Sequence, residues 1–474
     1  MNLAQALRFP ISAGQATTIA FAGAGGKTTA LFQLAREISP PVIVSSTTHL
    51  GAWQIPLADR HIIAETASPI EELEHGLNGI ILITGPICED KTSPINQSLL
   101  EWLRAFCGYH DLPLLIEADG SRQKPLKAPA EHEPAIPEFV EHVVYVAGLS
   151  VLDKPLSGEC VHRPEIFSHL SGLAFGERVT TDALARVLSH PLGGLKNIPP
   201  ASKRTLILNQ ADSADLQSRA GSMSPALLEG FDSVIVASLG QGQIHAVHER
   251  TAGIILAAGA STRYGQPKQL LDWRGKPFVR AVAETALSAV LSPVIVVTGA
   301  NAEEVEKAIQ DLPVAIVRNE AWQCGQGSSI KAGLSILTPS QPPPNPHGES
   351  TSALKSLHAD LGEVPARAVG VGSVVFLLAD QPHIGADVIR ALVETHAREL
   401  HPVVVPLVLE ERRANPVLFD RITFPDLLTL EGDVGGRAIF SKYKVEYMPW
   451  HDDRLLLDVD KPEDYQRLTE DETL

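Results

Sequence analysis

A chain of 474 residues is longer than one ordinary core accommodates, so two or three domains are expected. Hydrophobic residues at 44% with 20% charged make a globular composition and exclude wholesale disorder. The net charge of −17, from 39 basic and 56 acidic residues, argues against nucleic acid or an anionic membrane as partner, so any phosphate site must be a local basic cluster. Cys88, Cys107, Cys160 and Cys324 show no CxxC spacing, which suits free thiols in a reducing cytoplasm. With no charged-then-apolar start and no bilayer-length apolar run, the expectation is a cytoplasmic, unexported protein.

Short β-branched runs alternate with amphipathic segments, the pattern of parallel α/β units. In the first half, strands are predicted at Thr18–Ala22, Val42–Ser45, Leu114–Ala118, His142–Ala147, Thr205–Asn209 and Ser233–Ser238. A helix after the first of these carries Leu31, Leu34, Ala35 and Ile38 on one face. The polar stretch Gln241–Thr251 reads as a linker and divides the chain into domains 1–247 and 248–474. Second-half strands are predicted at Gly253–Ala257, Pro293–Thr298, Val314–Val317, Ser373–Ala379 and Pro402–Pro406. Residues 338–369, with Pro342-Pro343-Pro344 and many Ser, Gly and His, read as a flexible surface insertion with too little apolar surface to offset its ordering entropy.

The first strand runs into Gly23-Ala24-Gly25-Gly26-Lys27-Thr28-Thr29 and then at once into a helix. Backbone amides of such a loop, with the helix N-terminus, cradle an anion. Lys27 would reach the β/γ-phosphates and the Thr28 hydroxyl would hold Mg²⁺, although the standard P-loop pattern wants Gly where Phe21 stands. Leu114-Leu115-Ile116-Glu117-Ala118-Asp119-Gly120 ends a buried strand in two carboxylates, with Asp119 as metal ligand or only a turn residue. Asn209-Gln210-Ala211-Asp212 follows a strand where GTPases place a base reader, with Gln210 in place of lysine; Asp212 reads equally as a helix cap.

These motifs, with Ser46-Thr47-Thr48-His49, the run Lys124-Pro125-Leu126-Lys127-Ala128-Pro129-Ala130-Glu131-His132-Glu133-Pro134 and His162-Arg163-Pro164, make residues 1–245 resemble the YqeC family, accessory factors of selenium-dependent molybdenum hydroxylases. A P-loop NTPase-like parallel sheet is then expected, binding ATP or GTP and serving a molybdenum hydroxylase apoenzyme. The proline-stiffened run is either a surface for an anionic substrate or a solvated rigid loop. His49, His132, His162 and Arg163 are acid/base or anion-binding candidates, each histidine with a structural alternative.

In the second half, Gly253-Ile254-Ile255 leads into Leu256-Ala257-Ala258-Gly259-Ala260-Ser261-Thr262-Arg263-Tyr264-Gly265-Gln266-Pro267-Lys268. Gly259 and Gly265 let amides approach phosphate oxygens, Arg263 can clamp phosphate with its planar fork, and Lys268 adds a point charge. Asp380 ends an apolar strand at the sheet's carboxyl edge, where ligands bind. Asp460 is a second metal-ligand candidate, or the N-cap of a capping box with Glu463. Asp433 would position an acceptor or cap a helix beginning near Val434.

The loop matches LAAGxSxRxGxPK, the signature of the nucleotidyltransferases that make molybdenum-cofactor dinucleotides. The resemblance continues through Asn319-Glu320-Ala321-Trp322, Gly325-Gln326-Gly327-Ser328-Ser329, Leu378-Ala379-Asp380-Gln381-Pro382, Asn415-Pro416, Gly432-Asp433-Val434-Gly435-Gly436-Arg437 and Asp458–Asp464, with Ala414 where the family often has Gly. It implies a Rossmann-like, GT-A-like fold. Leu256, Ala257, Ala258, Gly259, Ser261, Gly265 and Ser328 would bind nucleotide, and Arg263, Lys268 and Asp380 would be catalytic. Asp380 and Asp460 would hold Mg²⁺, and Asn415 and Asp433 would face the acceptor. Ala258, where guanylyl-transferring relatives carry Gly, makes the chain similar to the MocA-type cytidylyltransferases, which use CTP and a molybdopterin-type acceptor. A sugar-phosphate nucleotidyltransferase and a non-catalytic cofactor chaperone are the alternatives.

Overall fold

The computed structural model describes residues 1–9, 16–71, 76–262, 264–338, 370–408 and 412–470. The expected insertion therefore falls, beyond Thr338, outside the described residues, as does Arg263. The chain divides into two compact units, Met1–His248 and Glu249–Leu474.

The first unit is a nine-stranded sheet. Its strands are β1 Thr18–Gly23, β2 Val42–Ser46, β3 Arg60–Ile63, β4 Ile80–Thr84, β5 Leu114–Glu117, β6 His142–Gly148, β7 Lys203–Asn209, β8 Ser233–Ser238 and β9 Gln243–Glu249. They lie in the order β9-β8-β7-β6-β1-β5-β2-β4-β3. From β8 to β3 every pair is parallel. Parallel strands are covered on both faces, which is why the central ones read as unbroken apolar runs. Helix α1 (Lys27–Glu37) packs Leu31, Leu34 and Ala35 inward. Helix α2 (Gln97–Tyr109) is started by Asn96, whose side chain accepts from the Leu99 amide, and buries Leu99, Leu103 and Phe106.

Register decides what meets at the carboxyl edge. Phe21 pairs with Glu117, Gly23 with Val146, and Gly148 with Asn209. The loop after β1, the acids after β5 and the Asn209 turn therefore share one rim. Phe21 is fully buried within β1, because the strand continues to Gly23 before the chain turns.

The second unit is an eight-stranded mixed sheet. Its strands are β10 Thr251–Ala257, β11 Val294–Thr298, β12 Ala315–Arg318, β13 Ser373–Leu378, β14 Val403–Val408, β15 Arg412–Arg413, β16 Val417–Asp420 and β17 Val445–Pro449. The order is β12-β11-β10-β13-β16-β14-β15, with β17 on β14. The β12-to-β13 half is parallel and β16 runs antiparallel to both neighbours. Leu256 pairs with Leu378, so the glycine-rich loop and Asp380 leave the sheet side by side. Helices α3 (Phe278–Ser288), α4 (Gln326–Leu337), α5 (Ala386–Glu399) and α6 (Pro462–Glu470) cover this sheet or flank its edge.

Both sheets fit the α/β expectation, and the expected linker is corrected. Residues 243–249 form β9 beside β8, and β10 begins at Thr251. The stretch looked like a linker because an edge strand can keep polar side chains in water.

Candidate functional site

At the rim of the first sheet, Gly25 adopts φ +78, and a Cβ there would lie 2.4 Å from the Pro125 carbonyl oxygen, so only glycine fits. The Gly25 amide bonds the Lys124 carbonyl at 3.1 Å, stitching the loop to the proline-rich run. Gly26 is the N-cap of α1 and Lys27 its first residue. Lys27 is buried: its ammonium donates to the Gly23 carbonyl at 2.8 Å and lies 3.2 Å from Asp119.

Asp119 is held between two ammonium groups, with Lys127 Nζ at 2.8 Å. Lys127 also reaches Glu133 at 2.9 Å, and Glu133 takes both guanidinium nitrogens of Arg163, at 2.6 and 3.1 Å. The result is a chain of alternating charge, Lys27–Asp119–Lys127–Glu133–Arg163. Burial alone would raise the Glu133 carboxyl, but Arg163 and Lys127 outweigh it and hold it at about 2. Lys127 is fully buried and therefore belongs to no substrate-facing surface, contrary to one reading of the run. His132 is exposed. His162 is half-buried, its pKa lowered by burial and by the charges of Arg163 and Lys127. His49 is exposed and bonds the Thr92 carbonyl through Nδ1 at 3.0 Å.

The carboxylate that accepts from the Thr28 hydroxyl is Glu117, at 3.0 Å, whereas Asp119 is occupied by the two lysines. Burial pushes the Glu117 carboxyl up against the pull of Lys27. Sequence reading passed over Glu117. With two acids two residues apart at a strand end, only the backbone path decides which one meets Thr28. Thr29 lines, with Gly25 and Gly26, a cavity of about 200 Å³ bounded on its far side by Asn209, Asp212 and Gln241. Asp212 is not a cap; Ser213 caps the following helix by accepting from the Leu216 amide at 3.3 Å.

In the second unit the loop after β10 is shaped from within. Ser261, at φ +52, accepts from the Lys268 amide at 3.0 Å and donates to Gln269 at 3.3 Å. Gln269 is buried, and its amide nitrogen donates to the carbonyls of Ala257 at 3.2 Å and Gly259 at 2.6 Å. It is a loop-setting residue that no motif marked. A Cβ at Gly259 would meet nothing nearer than Gln269 Nε2 at 3.9 Å, so the concave side of the loop is open to a ligand. Leu256 and Ala257 end the strand, Ala258 is buried behind the loop, and Gly265 turns at φ +86.

Lys268 Nζ lies 3.1 Å from Asp380 and 2.8 Å from Asp460. Its partial burial works against the charge, but the two carboxylates outweigh it and hold the ammonium above the usual lysine pKa. Asp458 stands beside them. Burial and the Asp380 charge raise its carboxyl, which accepts from Gln381 Nε2 at 2.5 Å. Asp460 is not half of a capping box with Glu463: Asp464 reaches back to the Asp460 and Lys461 amides, at 3.0 and 2.8 Å, and starts α6. The structure thus brings Lys268, Asp380 and Asp460 to one point and adds Asp458 and Gln381.

Other expected residues are placed differently. The Ser328 hydroxyl is tied to the Gly325 and Ala321 carbonyls at 2.8 and 3.0 Å and accepts from Asn319, so it fastens the start of α4. Asp433 caps no helix of its own; its carboxylate faces the Gln326 amide at 3.4 Å, at the N-terminus of α4. Asn415 accepts from Arg437 at 3.4 Å, and Ala414 is buried with its amide on the Pro406 carbonyl at 3.0 Å. Arg263 lies outside the described residues. No described helix is long and apolar enough to cross a membrane.

Residues 19–165 match the family model described as YqeC protein, and residues 253–447 match the MobA-like NTP transferase domain. The first half is 32% identical over 201 residues to YqeC of Escherichia coli (strain K12), covering 41% of this chain and 76% of that protein. The second is 30% identical over 226 residues to nicotine blue oxidoreductase of Paenarthrobacter nicotinovorans, covering 46% and 95%. The chain belongs to both families, YqeC in its first half and the MobA-like NTP transferases in its second. The MobA-like domain is a nucleotidyltransferase. It is also 38% identical over 90 residues to a "Probable molybdenum cofactor guanylyltransferase" of Bacillus cereus (strain G9842), covering 19% of this chain and 44% of that one.

Proposed function

We propose that the MobA-like domain transfers CMP from CTP to the terminal phosphate of molybdenum-bound molybdopterin, giving molybdopterin cytosine dinucleotide and pyrophosphate. The observation that carries this reading is the convergence of Asp380 and Asp460, from distant parts of the chain, on the single cationic point that Lys268 Nζ fills. Lys268 is a stand-in cation there. Two carboxylates with open space toward the loop are the protein share expected of Mg²⁺, whose remaining ligands come from phosphates and water. Among the described residues no cluster of three or more acids, histidines and cysteines makes a complete cage, which agrees with such a shared ion.

A divalent ion held by Asp380 and Asp460 would neutralise charge on the triphosphate. Lys268, released by that ion from its two partners, would turn to the β/γ-phosphates and stabilise departing pyrophosphate. Loop amides from Ala258 to Gly265 would fix the α-phosphorus for attack by the acceptor's phosphate oxygen; one P–O bond forms as the bond to pyrophosphate breaks. Direct displacement needs no covalent enzyme intermediate. Arg263, by its place in the signature, would clamp the same phosphates.

Ala258 supports CTP as donor, whereas the likeness to a guanylyltransferase favours GTP as the second reading. The YqeC domain, with its own glycine loop, Lys27 and Thr28, would bind ATP or GTP with Mg²⁺ and act as an accessory module for a molybdenum hydroxylase. Pyrophosphate release is measured with CTP, GTP and ATP, with and without molybdopterin. Acceptor-dependent release with CTP is expected. Release only with GTP replaces the donor, release with a sugar phosphate instead replaces the acceptor, and none with any pair leaves a chaperone. A nicotinamide-oxidation assay run in parallel tests the chemistry named in the oxidoreductase relative.

A further inference from the structure

We propose that the nucleotide taken by the YqeC domain is a guanine nucleotide, read by Asp212; this rests on the reading of that domain as a nucleotide binder. Strands β1, β6, β7 and β8 stand in consecutive order in the sheet. The glycine loop leaves β1, Asn209–Asp212 leaves β7 and Ser238–Gln241 leaves β8, all at the carboxyl rim. Two strand spacings separate β1 from β7, about 10 Å, which is the reach of a ribose between a phosphate cradle and its base.

Asn209 joins the three turns. Its amide nitrogen donates to the Gly25 carbonyl at 2.7 Å, and its side-chain oxygen accepts from the Leu239 amide at 2.9 Å. The side chain is buried, so this tie rigidly links the phosphate loop to the two turns beyond it. Between them lies the cavity of about 200 Å³, smaller than a whole-ligand pocket and on the scale of one base. Asp212 stands on its wall, exposed, its carboxylate approached by Gln241 Nε2 at 3.4 Å. That contact is long enough to yield to a better donor.

The chemistry of the wall then selects the base. A carboxylate only accepts hydrogen bonds. Guanine offers two adjacent donors, N1–H and the exocyclic N2 amine, and so gives Asp212 a paired, charge-assisted contact. Adenine presents a lone pair at N1, and cytosine one at N3, either of which would face the carboxylate oxygens. Gln210 stands where a lysine stem would lie over the ring, but its carbonyl oxygen accepts from Ser150 Oγ at 2.6 Å and is turned away. Selectivity therefore falls on the Asp212 edge contact.

The test uses the full chain with Mg²⁺ and fluorescent GTP, ATP and XTP analogues, binding being read as the component lost in Lys27→Ala. Guanine is expected to bind at least ~10-fold more tightly than adenine, because a site built to pair donors rejects a base that lacks them. Asp212→Asn is expected to weaken GTP and to strengthen XTP, since an amide accepts from N1–H while donating to the xanthine O2. A gain for XTP cannot come from misfolding. Equal, Lys27-dependent binding of GTP and ATP, or an Asp212→Asn chain with unchanged preference, overturns the guanine assignment and leaves nucleotide binding standing. No Lys27-dependent binding of any nucleotide, with no XTP gain, removes the nucleotide reading itself and this proposal with it.

Discussion

Three aspartates crowd one lysine in the transferase domain, and they are not equivalent. Asp380 and Asp460 pair directly with Lys268, while Asp458 is buried, raised in pKa, and bonded to Gln381. Asp380→Ala is expected to lower pyrophosphate release by ~10²–10³, the usual cost of one such electrostatic contact. Asp458→Asn replaces a carboxyl that leans toward its neutral form with a neutral amide of the same shape, so release should stay within a few-fold of wild type. Equal damage from the two would place Asp458 among the metal ligands. Lys127 offers a stability counterpart in the YqeC domain. Lys127→Ala leaves Glu133 with Arg163 but strips Asp119 of one of its two buried partners. Breaking a buried pair typically costs ~3–5 kcal/mol. Urea denaturation should show a loss of that order, and a loss below ~1 kcal/mol, the scale of an exposed pair, would mean that the charge chain is solvated.

At the scale of elements, the parallel strands were legible because strands buried on both faces write continuous apolar runs, as at Ile19–Ala22 and Leu114–Ile116. Strands β3 and β9 were not, since Arg60–Ile63 and Gln243–Glu249 are edge strands that keep partly exposed faces. The same limit applies within the site. Lys268, Asp380 and Asp460 lie in loops that follow strands or precede a helix and carry a spaced pattern. Gln269, Gln381 and Glu117 act through buried hydrogen bonds that no spacing reveals. The segment after β13 makes a further prediction. His383, three residues past Asp380, has its imidazole pKa lowered by burial to about 4 from 6.5. The unfolded chain therefore binds more protons between those values. The contribution is fully present above pH 6.5 and is lost as pH falls toward 4, by about 3 kcal/mol. His383→Gln should flatten the fall in melting temperature across that window. An unchanged slope would assign acid sensitivity to other groups.

At the scale of the whole molecule, two sheets each carry a glycine loop with a lysine held in reserve by its own acids, Lys27 by Asp119 and Lys268 by Asp380 and Asp460. Each lysine's partners lie within its own compact unit, so neither site borrows a cation from the other. Lys27→Ala should therefore remove one nucleotide-binding event, leave Asp119 still paired with Lys127, and barely change pyrophosphate release. Lys268→Ala should do the reverse. Calorimetric titration of the full chain with CTP and GTP, beside the pyrophosphate assay on both variants, reads this directly. Chains divided between His248 and Glu249, where the two units part at the end of β9, should each keep their own binding event. A division earlier in that strand would take an edge from the first sheet and confuse instability with lost affinity. If Lys27→Ala abolishes transfer while the second half still binds CTP, the two sites are energetically coupled. The accessory domain would then gate the reaction rather than only accompany it.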